Sequence, residues 1–99
     1  VKRVFVCSPF RGNVEHNLAL AEAACRLVLD HGHAPFAPHV LYPRVLDDTD
    51  PEQRAAGIRA GLAWLAVCDE VWVFGEPTSG MRHEIAAARE LGIEVRRVP

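Results

Sequence analysis

The chain has 99 residues, 49% of them hydrophobic and 24% charged, with a formal net charge of -2. That length suits one domain with one core, so the expectation is a single domain over residues 1–99. Eleven Lys and Arg scattered among thirteen acids exclude a basic stripe for a nucleic-acid backbone, and no apolar run approaches the ~18 residues of a membrane span.

Lys2 to Cys7 is a short β-rich run ending in a turn-forming segment, Ser8-Pro9-Phe10-Arg11-Gly12-Asn13. Leu18, Ala21, Cys25 and Val28 recur at steps of three and four, which predicts an amphipathic helix from Val14 to about Asp30 with Asn13 as its N-cap. Ala34 to Pro38 reads as a second strand, and its two prolines fit a sheet edge. His39 to Thr49 has no clear periodicity and reads as irregular. Asp50-Pro51-Glu52-Gln53 opens a helix with an Asp cap and Pro at N1. That helix is expected to run to about Val67 with Ile58, Leu62 and Leu65 inward. A third strand follows at Glu70 to Phe74. A helix from Gly80 to Leu91 comes next, capped by Ser79 and stopped by Gly92, and a last strand spans Ile93 to Val98.

Alternation of strand and helix predicts a parallel α/β sheet covered on both faces, in the order 2-1-3-4. Strands one and three are then neighbours at the switch point, and a ligand belongs in the crevice outside their carboxyl ends. Two loops meet there. Arg11 and Gly12 precede one helix, where free N–H groups and a guanidinium suit an anion. Thr78-Ser79-Gly80 opens another helix in the same manner. Either segment also reads as an ordinary turn or cap.

Glu84 adds a carboxylate to this crevice. At about 100° per residue it lies roughly 60° from Met81, on the edge of the apolar stripe formed by Met81, Ile85 and Ala88. A carboxylate beside a bound sugar can attack the anomeric carbon and form a covalent glycosyl-enzyme. Asp47, Asp48 and His39 are the available acids to assist the leaving base; Asp47 and Asp48 also fit a solvated Asx turn. His31-x-His33 has no third ligand in view, so no metal is expected. Trp64 and Trp72 read as core or interface aromatics, and Arg96 and Arg97 as solvated charge. Cys7, Cys25 and Cys68 read as buried thiols of a reducing compartment. No signal-peptide pattern opens the sequence, and the expected location is cytoplasmic.

The ordered set Val4-Phe5-Val6-Cys7-Ser8-Pro9-Phe10-Arg11-Gly12, Ala37-Pro38-His39, Trp64-Leu65, Cys68 to Phe74 and Ser79-Gly80-Met81 with Glu84 resembles the nucleoside 2-deoxyribosyltransferase superfamily. The likeness is greatest to its small bacterial and phage branch, and the deoxynucleoside 5′-monophosphate N-glycosidases are near relatives. The resemblance implies a flavodoxin-like three-layer fold and a homodimer or higher homo-oligomer. It also implies a small-molecule nucleoside or nucleotide substrate and no cofactor. By the same resemblance Glu84 is the nucleophile, and Arg11, Ser79 and Gly80 hold a 5′-phosphate. Expected substrate contacts are Ser8, Pro9, Phe10, Arg11 and Gly12 from the first loop, with Ser79, Gly80 and Met81 from the second.

Two positions depart from the pattern. Gly61 stands where the N-glycosidases carry an aspartate, and the first-strand loop lacks the tyrosine that the transferases often place near the nucleophile, with Phe10 nearby but without a hydroxyl. The expected activity is N-glycosidic cleavage or transfer. The alternatives are a non-catalytic nucleotide-binding module and a ribonucleotide phosphoribohydrolase.

Overall fold

The computed structural model describes residues 1–99 as four strands and four helices: β1 (Arg3–Cys7), α1 (Val14–Asp30), β2 (Ala34–Phe36), α2 (Pro38–Val45), α3 (Pro51–Leu65), β3 (Glu70–Phe74), α4 (Ser79–Glu90) and β4 (Glu94–Val98), in that order. All strand pairs are parallel, and the sheet order is β2-β1-β3-β4. The expected topology and sheet are therefore present.

Strand alternation divides the core between two faces. Phe5, Cys7, Val71 and Val73 point to one side, where Leu65 of α3 and Met81 and Ala88 of α4 cover them. Val4, Val6, Trp72 and Phe74 point to the other, under Ala24 and Val28 of α1. Every residue of β3 is buried, as befits a central parallel strand closed on both faces.

The helix starts follow local chemistry. Asn13 accepts from the His16 N–H, Asp50 from the Gln53 N–H and Thr78 from the Met81 N–H. The cap of α4 is thus Thr78 rather than Ser79, because the Thr78 Oγ1 reaches the Met81 amide while the Met81 Sδ faces the Thr78 amide.

Several other expectations are corrected. Strand two stops at Phe36, and the stretch expected to be irregular holds α2. Pro38 at its N1 position needs no hydrogen-bond donor, and the helix ends at Val45, two residues beyond the internal Pro43. The short length and internal proline hide the helical period. Ile58 is 44% exposed rather than inward. Trp64 is 52% exposed and stacks on Phe36 at 5.5 Å, while Trp72 is buried with His31 and His33 edge-on to its ring. Arg96 is not merely solvated, because it pairs with both Glu70 and Glu94. Cys25 is only half-buried, whereas Cys7 and Cys68 are buried. No helix is long and apolar enough to cross a membrane.

Candidate functional site

The carboxyl ends of β1 and β3 open into a cavity of about 470 Å³, inside the usual range for small-molecule sites. Its floor comes from the β1 loop and the first turns of α4; the opposite wall comes from α2 and α3.

The β1 loop is fixed from below. Asn17 of α1 is buried and donates through Nδ2 to the carbonyls of Phe10 at 3.0 Å and Arg11 at 3.1 Å. Gly12 follows with φ +97°, a conformation that L side chains rarely adopt. The second loop turns at Gly75, φ +83°, where an added Cβ would lie 3.6 Å from the Pro9 ring. The two loops therefore meet, as the switch-point argument requires.

The wall is an antiparallel helix pair. Gly61 lies against Pro38, and Gly57 lies against Tyr42 and Leu46, with an added Cβ 3.6 Å from Pro38 and 3.4 Å from Leu46. These distances set α3 against α2 at ordinary van der Waals contact, with no need for glycine at either position. His39 stacks on Phe10 at 5.0 Å and closes the corner between wall and floor. Burial lowers its pKa, against opposing contributions from the Ser8 backbone and the Asp48 charge.

Three buried side-chain polar atoms lack a hydrogen-bond partner: Ser8 Oγ, Arg54 Nη1 and Glu84 Oε1. All three residues line this cavity. Buried polar groups are nearly always satisfied, so three orphans around one cavity mark a surface shaped for a polar ligand. Burial pushes the Glu84 carboxyl up to about 7, and the adjacent Cys7 thiol pulls weakly the other way. The cause is desolvation rather than a neighbouring acid. The Cys7 thiol is itself pushed up, first by burial and then by the Glu84 charge, and its Sγ donates to the Met81 carbonyl at 3.7 Å.

Of the residues expected at the site, Glu84, His39, Asp48, Ser8, Phe10 and Arg11 line the cavity, as do Ser79, Gly80 and Met81. Pro9, Gly12 and Asp47 do not. Pro9 packs on Gly75, and Gly12 forms the turn. Asp47 is spent locally: its Oδ1 accepts from the Thr49 N–H at 3.0 Å and the Thr49 hydroxyl at 2.6 Å, which lowers its pKa. Asp48 reaches Arg11 instead, at 3.6 Å. Thr78 lines the cavity with Ser79 and Gly80, as expected of the second loop, whereas His83, Tyr42, Gln53 and Arg54 also line it and escaped the sequence reading. Tyr42 was hidden with α2. Arg54 sits one turn past the recognised Asp50 cap, and that position was the only available signal. No group of three or more His, Cys, Asp or Glu side chains is placed to hold a metal ion.

Residues 2–98 match the model of a family described as a domain of unknown function (DUF7768), and the chain belongs to that family. No curated protein matches it. Among solved structures it is similar to the 2-deoxyribosyltransferase of the psychrotolerant bacterium Bacillus psychrosaccharolyticus, with a TM-score of 0.78 at 20% identity over 96% of this chain and 70% of that one. It is also similar to the 2-deoxyribosyltransferase of Leishmania mexicana, with a TM-score of 0.73 at 16% identity over 98% of this chain. The chain spans 63% of that second protein. At these identities the likeness is one of fold.

Proposed function

We propose that this DUF7768 member cleaves or transfers the N-glycosidic bond of a nucleoside or nucleotide, with Glu84 as the nucleophile. The observation that carries the reading is the Glu84 Oε1, buried without a partner on the floor of the cavity. The shared fold of the 2-deoxyribosyltransferases supports it.

In this reading the ionised Glu84 oxygen forms a bond to the sugar C1′. The C1′–N bond breaks, and its electron pair leaves with the base, which takes a proton from the protonated form of His39, the form that the Asp48 charge favours. Water then attacks C1′ and gives its proton back to His39, the ester bond to Glu84 breaks, and the carboxylate is restored with release of the sugar. A second base in place of water gives transfer. With its pKa near 7, about half of Glu84 carries charge at neutral pH in the ligand-free protein. The expected kcat/KM therefore rises through an acid limb near pH 7.

The test is release of free base from a panel of deoxyribo- and ribonucleosides and their 5′-monophosphates. Release that is lost in Glu84→Gln supports the reading, and release that survives the substitution ends it. A ribonucleotide preference would favour a phosphoribohydrolase.

One observation favours the non-catalytic module as the second reading. Gly61 leaves the wall without the aspartate of the N-glycosidases, and burial alone accounts for the Glu84 shift, with no partner acid beside it. An added Cβ at Gly61 meets only the Pro38 Cβ at 3.6 Å, an ordinary contact. The cavity therefore has room to begin a side chain there. If the parent binds nucleotides without turnover while Gly61→Asp releases base, the chain is a binding module that lacks only its leaving-group acid.

A further inference from the structure

Arg54 is the one cavity cation not accounted for by the reading above. Its Nη1 is buried and meets no acceptor, and the guanidinium enters none of the ion pairs of the protein. Arg11 differs on both counts, being 65% exposed at its side chain and already facing the Asp48 carboxylate. An arginine keeps its charge at any working pH. Arg54 is half-buried, but its enclosed Nη1 N–H group without an acceptor is unfavourable, and an anion relieves it more than a neutral carbonyl does.

Position within the fold says which end of the ligand would meet it. Helix α3 runs antiparallel to α2, with Gly61 against Pro38 near the sheet rim and Gly57 a turn further out against Tyr42. Arg54 is seven residues before Gly61, so its Cα lies about 10 Å further out along the helix axis. Its amide donates to the Asp50 carbonyl at 2.9 Å, which places it on the same turn that follows Asp48. Arg11 approaches that turn from the floor through Asp48. Arg54 and Arg11 thus both line the cavity, Arg54 from the outer part of α3 and Arg11 beside Asp48, while Glu84 comes from the first turns of α4 at the rim end.

We propose that Arg54 is the principal anion anchor of this cavity, and that its ligand is a nucleoside phosphate rather than a nucleoside. The phosphoryl oxygens take the place at Nη1 that no protein acceptor fills, and Arg11 serves as the weaker, solvent-screened partner. The inference rests on the cavity being the nucleotide site of the proposed function. It does not require that the bond be cleaved.

The test is calorimetric titration of the full chain carrying Glu84→Gln with the four common deoxynucleosides, their 5′-monophosphates and inorganic phosphate. A monophosphate is expected to bind at least about 30-fold tighter than its nucleoside, the factor typical of a buried charged pair. Arg54→Met in the same background should bring the two within about threefold, whereas Arg11→Gln should keep most of the preference. Without ligand, Arg54→Met should have a Tm no lower than its parent, since an enclosed N–H group without an acceptor is removed.

Equal binding of nucleoside and monophosphate overturns the proposal. So does a preference that survives Arg54→Met, or a Tm loss of several degrees with binding intact, which would make Arg54 a framework residue. Phosphate preference without base release from the parent chain would end the catalytic reading and leave this one standing. Base release without phosphate preference would do the reverse.

Discussion

Glu70 and Glu84 are two largely buried glutamates at opposite ends of the same sheet, and they are treated in opposite ways. Glu70, at the amino end of β3, accepts from Lys2 at 2.5 Å and from the Trp72 indole at 2.8 Å, with Arg96 at 3.2 Å. Those bonds, Lys2 first, hold its pKa below the usual carboxylate value. Glu84, beyond the carboxyl end, has one oxygen with no partner and a pKa raised to about 7. One carboxylate is bound into the framework, the other is left unsatisfied. Burial of a charge that opposes folding in the free protein is what the proposed role of Glu84 requires.

The sharpest way to break this contrast is chemical. Glu84→Gln should lower base release by at least ~10³-fold, because an amide cannot replace the carboxylate nucleophile. A Glu70→Gln protein should keep its turnover. Parallel rate assays on the two variants check both outcomes.

The next effect is on stability, and its sign differs between the two ends. Glu84 binds protons more tightly when folded, so its contribution falls as pH rises from about 4.5 to about 7. Glu84→Gln should therefore gain up to about 3 kcal/mol over the parent at pH 8 and converge with it below pH 4.5, as read from urea midpoints. Glu70, with its lowered pKa, contributes above the usual carboxylate pKa and is lost on acidification. Glu70→Ala should lose about 1–3 kcal/mol at pH 7, mainly because the buried Trp72 Nε1 loses its acceptor.

Smaller effects sharpen the comparison around the site itself. Thr78→Ala removes the α4 cap and should cost about 1 kcal/mol in the same urea assay. Gly61→Ala should gain up to about 1 kcal/mol from helix propensity, since its Cβ meets only an ordinary contact with Pro38. A loss there would mean that α2 and α3 are packed more tightly than their glycines indicate.

Much of this was legible in the residues because local chemistry and tertiary packing agree. Continuous apolar strand runs, Asn13 and Asp50 caps and the glycine stop at Gly92 each specify the element found. The floor of the site was legible for the same reason, since Ser8 and Arg11 follow a strand and Glu84 sits on a strong helix stripe. The wall was not. Helix α2 is eight residues long, contains Pro43 and buries only Pro38 of its own residues, so it carries too short an apolar pattern to read. Asp47 and Asp48 are adjacent in sequence, yet one closes a turn on Thr49 and the other faces Arg11. Arg54 has the composition of any solvated helix arginine, and only its surroundings distinguish it.

The three-residue edge strand β2 passes straight into that wall after one residue, Ala37. Helix α2 then rests on α1 and α3 rather than on a broad strand surface. The face that would recognise a ligand is accordingly hung from the margin of the sheet, while Ser8, Met81 and Glu84 are rooted in its centre. Substitutions between Pro38 and Gly57 can retune which molecule is admitted and leave the central strands untouched, so selectivity and foldability in this architecture are free to diverge separately.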